Sequence, residues 1–217
     1  MEIEIFNNRS LKACFKDAFT DISKNALTIL KKSWYAMLVF AFFLSVTQMF
    51  RVPSIELAEW GQQHGILSFS LQTIVYLLTI VSLAVPFWAF TKLINQKFTW
   101  KKISNCCRYA AHHPGEMLIT LVLNMLLTIV VMTIIALPAT ILFLAQTVSQ
   151  LGIFDGDAPA MPGFFYPLLF FALLFTNFVF AYVVLYNMLT ITKLLGSFKV
   201  QEQEQKKFIV THVASAN

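Results

Sequence analysis

The sequence predicts an all-α integral membrane protein with four transmembrane helices. Three observations predict this fold class: the composition, four long uncharged apolar runs, and the distribution of the basic residues. Of the 217 residues, 58% are hydrophobic and 12% are charged, whereas a soluble domain carries about 25% charged residues. A water-soluble fold could not cover so much apolar surface with so few charges. We therefore expect the lipid bilayer to be the solvent of most of the chain.

The four apolar runs set the predicted spans. They cover about residues 34–50, 71–90, 117–137 and 167–192. None of them contains Asp, Glu, Lys, Arg or His. Even the shortest run would extend over about 26 Å as a helix, which is the short end of what crosses a bilayer. Each run is longer than the core helices of an ordinary soluble domain, so we interpret all four as transmembrane.

The third run contains a proline that predicts an interruption. The chain stays uncharged from residue 117 to residue 150, which is too long for one straight span and too short for two spans and a turn. Pro138 lacks an N–H, and its ring clashes with the carbonyl of Ile134. We therefore predict a bend or break at Pro138, with 139–148 as an interfacial or re-entrant segment.

The basic residues predict the orientation. All of them except Arg51 fall in segments that four spans would place on one side of the membrane. The positive-inside rule assigns that side to the cytoplasm, so both termini are expected there. The predicted organisation is a cytoplasmic segment (1–33), a transmembrane domain (34–192) and a cytoplasmic tail (193–217). This layout is typical of small multi-pass proteins of the bacterial inner (plasma) membrane. The basic charge suits an anionic inner leaflet, and no nucleic-acid partner is needed to explain it.

The N-terminal segment predicts an amphipathic helix. Ser10 is a suitable N-cap for a helix that runs to about Lys32. Its apolar residues fall within one arc of the helix, and its lysines point elsewhere. The apolar residues are Leu11, Phe15, Ala18, Phe19, Ile22, Ala26, Ile29 and Leu30, and the candidate membrane-surface lysines are Lys12, Lys16, Lys24, Lys31 and Lys32. This pattern is typical of a helix in the headgroup plane. A structural anchor under the bundle is favoured over a lipid sensor or a docking helix for a partner.

A second, weaker amphipathic stretch precedes the third span. With this stretch included, the order basic helix, span, loop, span occurs twice along the chain. A parallel two-fold pseudo-repeat is therefore an open hypothesis. The stretch ends in the segment 112–116, HHPGE. We interpret this segment as a capping turn, because adjacent histidines point to different helix faces. No metal site and no cofactor is predicted.

Uncharged polar residues inside the spans are the candidate binding residues. They are Thr120 and Asn124 in the third span and Tyr186, Asn187 and Thr190 in the fourth; the first span offers Ser45 and Gln48. In lipid, such residues turn toward other helices. The favoured role is hydrogen bonding between helices. The alternative is a neutral polar pocket formed by Asn124, Tyr186 and Asn187, with both amides at the same depth and facing the interior.

The class of function is predicted mainly from the absence of ionisable residues in the spans and of catalytic motifs in the sequence. Pumps and ion-coupled carriers place ionisable residues in the membrane, and catalytic motifs such as HExxH, nucleophile elbows and phosphate loops are absent from the sequence. We therefore expect a non-catalytic protein rather than an enzyme. Its predicted function is that of an accessory, assembly or scaffold component of a membrane complex, with a protein partner or as a homo-oligomer. The alternative is binding or passage of a neutral or lipid-like molecule within the bundle.

Overall fold

All regular structure is helical in the part of the chain that can be described. The structure is a computed structural model, and it describes residues 10–50, 65–94, 111, 113–154 and 162–216. The helices in these ranges are α1 (Leu11–Lys24), α2 (Ala26–Met49), α3 (Gly65–Ser82), α4 (Ala84–Ile94), α5 (Pro114–Phe154) and α6 (Phe165–Ala216). The all-α class is therefore confirmed for these residues.

Four stretches of the described chain are long and apolar enough to cross a membrane. They are Ala26–Met49, Ser70–Lys92, Pro114–Ile153 and Phe165–Gln205. Each one overlaps one of the four apolar runs of the sequence. Length and composition thus support an integral, multi-pass membrane protein.

The N-terminal helix begins as predicted but ends early. The Ser10 hydroxyl accepts a hydrogen bond from the Ala13 N–H at 3.4 Å. The helix then stops at Lys24, because the backbone N–H and the side-chain Nδ2 of Asn25 both donate to the carbonyl of Asp21, at 3.2 and 2.9 Å. Asn side chains compete in this way with regular helix bonding. The predicted end near Lys32 is therefore wrong, and the residues after Asn25 belong to the spanning helix α2.

A proline interrupts the second span. α3 ends at Ser82 and α4 begins at Ala84. Pro86 has no N–H to donate to the carbonyl of Ser82, four residues earlier. The N–H of Leu83 lies 3.1 Å from the Thr79 carbonyl and 3.2 Å from that of Ile80, so it is shared between two acceptors. The second predicted span therefore consists of two helices joined at Leu83.

Pro138 does not interrupt the third span. α5 is one helix of 41 residues with Pro138 inside it, so a break at Pro138 is wrong, and a bend there stays a prediction. The stretch 139–148 is part of the same helix rather than a separate interfacial segment. The Thr140 hydroxyl donates to the carbonyls of Ala136 and Leu137, at 2.7 and 3.0 Å. Neither of these carbonyls is that of Ile134, which loses its usual donor to the proline.

The last helix continues beyond the predicted span. α6 has 52 residues and runs from Phe165 to Ala216. It therefore includes nearly all of the segment 193–217, which the sequence pattern assigns to a tail.

Close contacts divide the chain into two compact units. We call Met1–Lys32, Ala89–Leu127 and Val184–Asn217 the basic unit, and Ser33–Trp88 and Thr128–Val183 the neutral unit. Among the described residues, every lysine falls in the basic unit, and the neutral unit holds no charged side chain.

Each unit has its own apolar cluster. In the basic unit the cluster is built from Cys14, Leu194 and Phe198, with Met117 and Leu195 packed against it. In the neutral unit it is built from Phe165 and Leu169, with Met49, Leu142, Tyr166 and Leu173 around them. These clusters fix the helices that carry the polar side chains considered next.

Candidate functional site

The five binding residues predicted from the sequence all belong to the basic unit. Thr120, Asn124 and Thr190 are buried, whereas Tyr186 and Asn187 are partly buried. The Thr120 hydroxyl donates to the Glu116 carbonyl at 2.8 Å, and the Thr190 hydroxyl donates to the Tyr186 carbonyl at 3.0 Å. Both hydroxyl hydrogens are thus committed to their own helices. Asn124 faces the protein interior, as predicted, and a ligand-binding role for the five residues stays a prediction.

The five lysines predicted at the membrane surface are exposed; three of them lie in α1, and Lys31 and Lys32 lie in α2. Lys12, Lys16, Lys24, Lys31 and Lys32 all point away from the protein. The covered side of α1 is lined by Cys14 and Ala18, which are 1% and 0% exposed. Cys14 packs on Leu194 and Phe198 of α6. These contacts support an anchoring role for α1, and they leave the lysines available to anionic lipid.

A buried ion pair joins α1 to α6 within the basic unit. The Lys193 Nζ donates to the Asp21 carboxylate. The lysine side chain is 1% exposed and the aspartate 31% exposed. A lysine is almost never buried so deeply without a partner, and the pair explains how this one is tolerated. Sequence analysis counted Lys193 only as a tail residue and missed the pair, because a partner 172 positions away leaves no periodic signal.

The turn before α5 is a cap. The Met117 N–H donates to the His113 carbonyl at 3.2 Å. The His113 ring stacks on Phe198 with its centroid 4.4 Å away, and Glu116 is exposed. His112 lies outside the described residues. Among those described, no group of three His, Cys, Asp or Glu side chains could hold a metal ion.

The neutral unit contains an amide network that links α2 to α6. The Asn177 Nδ2 donates to the Ser45 Oγ at 2.8 Å and to the Gln48 Oε1 at 2.7 Å. The Ser45 hydroxyl donates in turn to the Ala41 carbonyl at 2.7 Å. Asn177 is 3% exposed and Ser45 is fully buried. Sequence analysis named Ser45 and Gln48 but not Asn177, although an amide inside a span next to Thr176 was a usable signal.

Two further contacts of the neutral unit are also uncharged. The hydroxyls of Thr47 and Thr79 bond to each other across α2 and α3. The Gln146 Nε2 donates to the Tyr166 hydroxyl at 3.1 Å, and the Gln146 side chain is fully buried. The helices of this unit are therefore held by neutral donors and acceptors.

A cavity of about 380 Å³ adjoins the amide network. It is lined by Gln48, Ala136, Ala139, Thr140, Phe143, Leu173 and Thr176. Ala139 and Thr176 are buried, whereas Thr140 and Phe143 are exposed. The cavity thus has a buried wall and an open rim. Its polar groups are one amide and two hydroxyls, which suits hydrogen bonding to a neutral group.

Comparisons with known proteins add no assignment. No protein-family model, no curated protein and no solved structure matches this chain. Function therefore has to be argued from the geometry of the two units.

Proposed function

We propose that the protein is a non-catalytic accessory, assembly or scaffold component of a membrane complex. We place it in the bacterial inner membrane, with both termini in the cytoplasm. The grouping of all described lysines in the unit that holds both chain ends supports this orientation, since cytoplasmic segments carry the basic excess.

The observation that carries the proposal is the weak packing of α5. Only 11% of its most apolar stretch is buried, against 33% for α2 and 28% for each of the other two spans. Leu121, Val122, Leu123, Met125 and Leu126 are all exposed. Successive residues are 100° apart around a helix, so these five positions cover an arc of about 200°, opposite the buried Thr120 and Asn124. Transmembrane helices associate through van der Waals packing, and α5 has surface to spare for a helix of another protein.

An enzymatic role has less support. The described residues of the neutral unit contain no ionisable acid or base of the Asp, Glu, Lys, Arg or His type. General acid–base catalysis most often uses such groups. The ion pair of the basic unit is committed to joining α1 and α6. Structural interaction between membrane proteins fits these features better than chemistry does.

Site-specific photo-crosslinking in the native membrane tests the proposal. A photoreactive amino acid at Met125 should give one discrete product that is heavier than the chain. The same amino acid at Ile80 of α3 is the matched control, because the two side chains are 66% and 63% exposed. A product of twice the chain mass would identify a homo-oligomer, and another mass would identify a hetero-complex. Absence of any protein product at Met125, or equal products at both positions, would contradict the proposal.

A further inference from the structure

The hydrogen bonds of the amide network fix the orientation of Gln48. The Ser45 hydroxyl hydrogen is committed to the Ala41 carbonyl, so the Ser45 oxygen can only accept from Asn177. Asn177 must therefore present its NH₂ group to Ser45 and to Gln48. Gln48 must therefore accept this bond through its Oε1, since its own NH₂ group can only donate. The Nε2 of Gln48, with two N–H donors, then lies on the other side of its amide.

The two N–H donors of the Gln48 Nε2 are available to a ligand in the cavity. Gln48 lines the cavity, and within the described part of the chain its Nε2 donates to no other residue. The two threonine hydroxyls of the lining are committed elsewhere: Thr140 donates to Ala136 at 2.7 Å and Thr176 to Ala172 at 2.9 Å. The cavity therefore offers a neutral amide donor, and a ligand must bring an acceptor.

The other residues that line the cavity favour a ligand that is apolar and uncharged. Ala136, Ala139, Phe143 and Leu173 supply most of the wall, and no charged side chain occurs among the described residues of the neutral unit. An ion would lose its hydration without gaining a partner. The volume of about 380 Å³ lies at the low end of ligand pockets, which run from about 300 to 1,000 Å³. It suits part of a long molecule rather than all of it.

We propose that this cavity binds the acyl-ester region of a membrane glycerolipid. The ester carbonyl accepts from the Gln48 Nε2, and the attached acyl chain lies along Ala136, Ala139 and Phe143. The exposed rim at Thr140 and Phe143 lies within one turn of α5, in a stretch long and apolar enough to cross a membrane, so a lipid of the bilayer could reach it. Among the neutral groups of a bilayer, the ester carbonyl joins an acceptor directly to an apolar chain.

Photolabelling of the full chain in lipid nanodiscs tests the cavity. The discs contain a diester phosphatidylcholine with a diazirine in its acyl chain, and adducts are mapped by peptide mass spectrometry. Adducts are expected within residues 136–143. Ala139→Leu fills the cavity and should reduce them about tenfold. Ala145→Leu is the matched control, because Ala145 is exposed on the same helix and does not line the cavity. If Ala139→Leu does not fold, Ala136→Leu fills the same space.

A diether analogue of the lipid tests the hydrogen bond. The wild-type chain should label about fivefold less with the diether lipid, which is the ratio that one ordinary hydrogen bond gives. Gln48→Leu should remove this preference. Ser45→Ala should weaken it, because without the Ser45 acceptor the amides of Asn177 and Gln48 can flip together and Gln48 can present its Oε1 to the cavity.

Two results would overturn the inference. Equal labelling of Ala139→Leu and Ala145→Leu would mean that lipid does not occupy the cavity. Equal labelling by the diester and diether lipids would overturn the ester assignment. Neither result bears on the crosslink at Met125, so the lipid site and the accessory function can fail separately.

Discussion

Different interactions join the helices in the two units: an ion pair in the basic unit and uncharged hydrogen bonds in the neutral unit. In the basic unit, Asp21 of α1 and the buried Lys193 of α6 form an ion pair. In the neutral unit, Asn177 of α6 bonds to Ser45 and Gln48 of α2 without any charge. The attraction within a buried ion pair offsets the large desolvation cost only when its geometry is excellent, whereas an amide network in lipid needs only donors and acceptors that satisfy one another. The contrast indicates that, among the described residues, charge is confined to one unit, and the following predictions test that division.

The largest expected effect concerns orientation. Reporter fusions after Lys102 and Gln205, in the segments of the basic unit, should be active only as cytoplasmic reporters. Fusions after Gln63 and Asp157, which the sequence places between predicted spans, should be active only outside. The physical reason is the positive-inside rule. Reversal at any one of these sites would contradict the four-span arrangement.

The next effect concerns the ion pair. Asp21→Asn leaves the buried Lys193 charge without its partner, and such a loss costs about 3 kcal/mol at the lower end of the usual range. The lower end applies because the aspartate is 31% exposed. Unfolding in mixed micelles measures the change in free energy, and Lys16→Met on the exposed face of α1 is the control.

The double variant sharpens this test. Asp21→Asn with Lys193→Met removes both charges, so it should regain much of the stability that Asp21→Asn alone loses. If the double variant is as unstable as the single one, the lysine charge is not what makes the pair costly to break.

Much of the helical fold could be predicted because its signals are local. Four uncharged runs and the Ser10 cap each lie within a few turns of chain, and the structure agrees with them. Helix ends were less predictable. Pro86 interrupts its span, whereas Pro138 lies inside a continuous helix. The same residue type gives both outcomes, so a proline within a span does not by itself predict a helix end.

The polar contacts could be predicted less well because their partners are distant in sequence. Asn177 meets Ser45 and Gln48 from 132 and 129 positions away. Periodicity shows which helix face carries a polar residue, but not which residue of another helix it meets. The sequence stripe therefore pointed to residues 124 and 187, while the amide network that links two helices of the neutral unit forms at Asn177.

A smaller effect is expected for the neutral network. Asn177→Leu removes two interhelical hydrogen bonds, and each such bond in a membrane protein contributes about 0.6 kcal/mol on average. The free energy of unfolding should therefore fall by about 1 kcal/mol, well below the loss for Asp21→Asn. Thr176→Val, which removes only a hydroxyl bonded within its own helix, is the control. If Asn177→Leu lowers the free energy of unfolding by 3 kcal/mol or more, the ion pair and the amide network do not differ in strength as proposed.

The smallest effect is expected at Asn124. This amide is 3% exposed and belongs to the basic unit, where the ion pair already joins two helices. Asn124→Leu should therefore lower stability by about 0.6 kcal/mol, the average for a polar contact between membrane helices. The crosslink at Met125 should persist, because Met125 is exposed on the same helix and its surface is unchanged. If the variant instead folds with full stability but loses the crosslink, Asn124 has a binding role, and the neutral pocket predicted with Tyr186 and Asn187 gains support over simple helix packing.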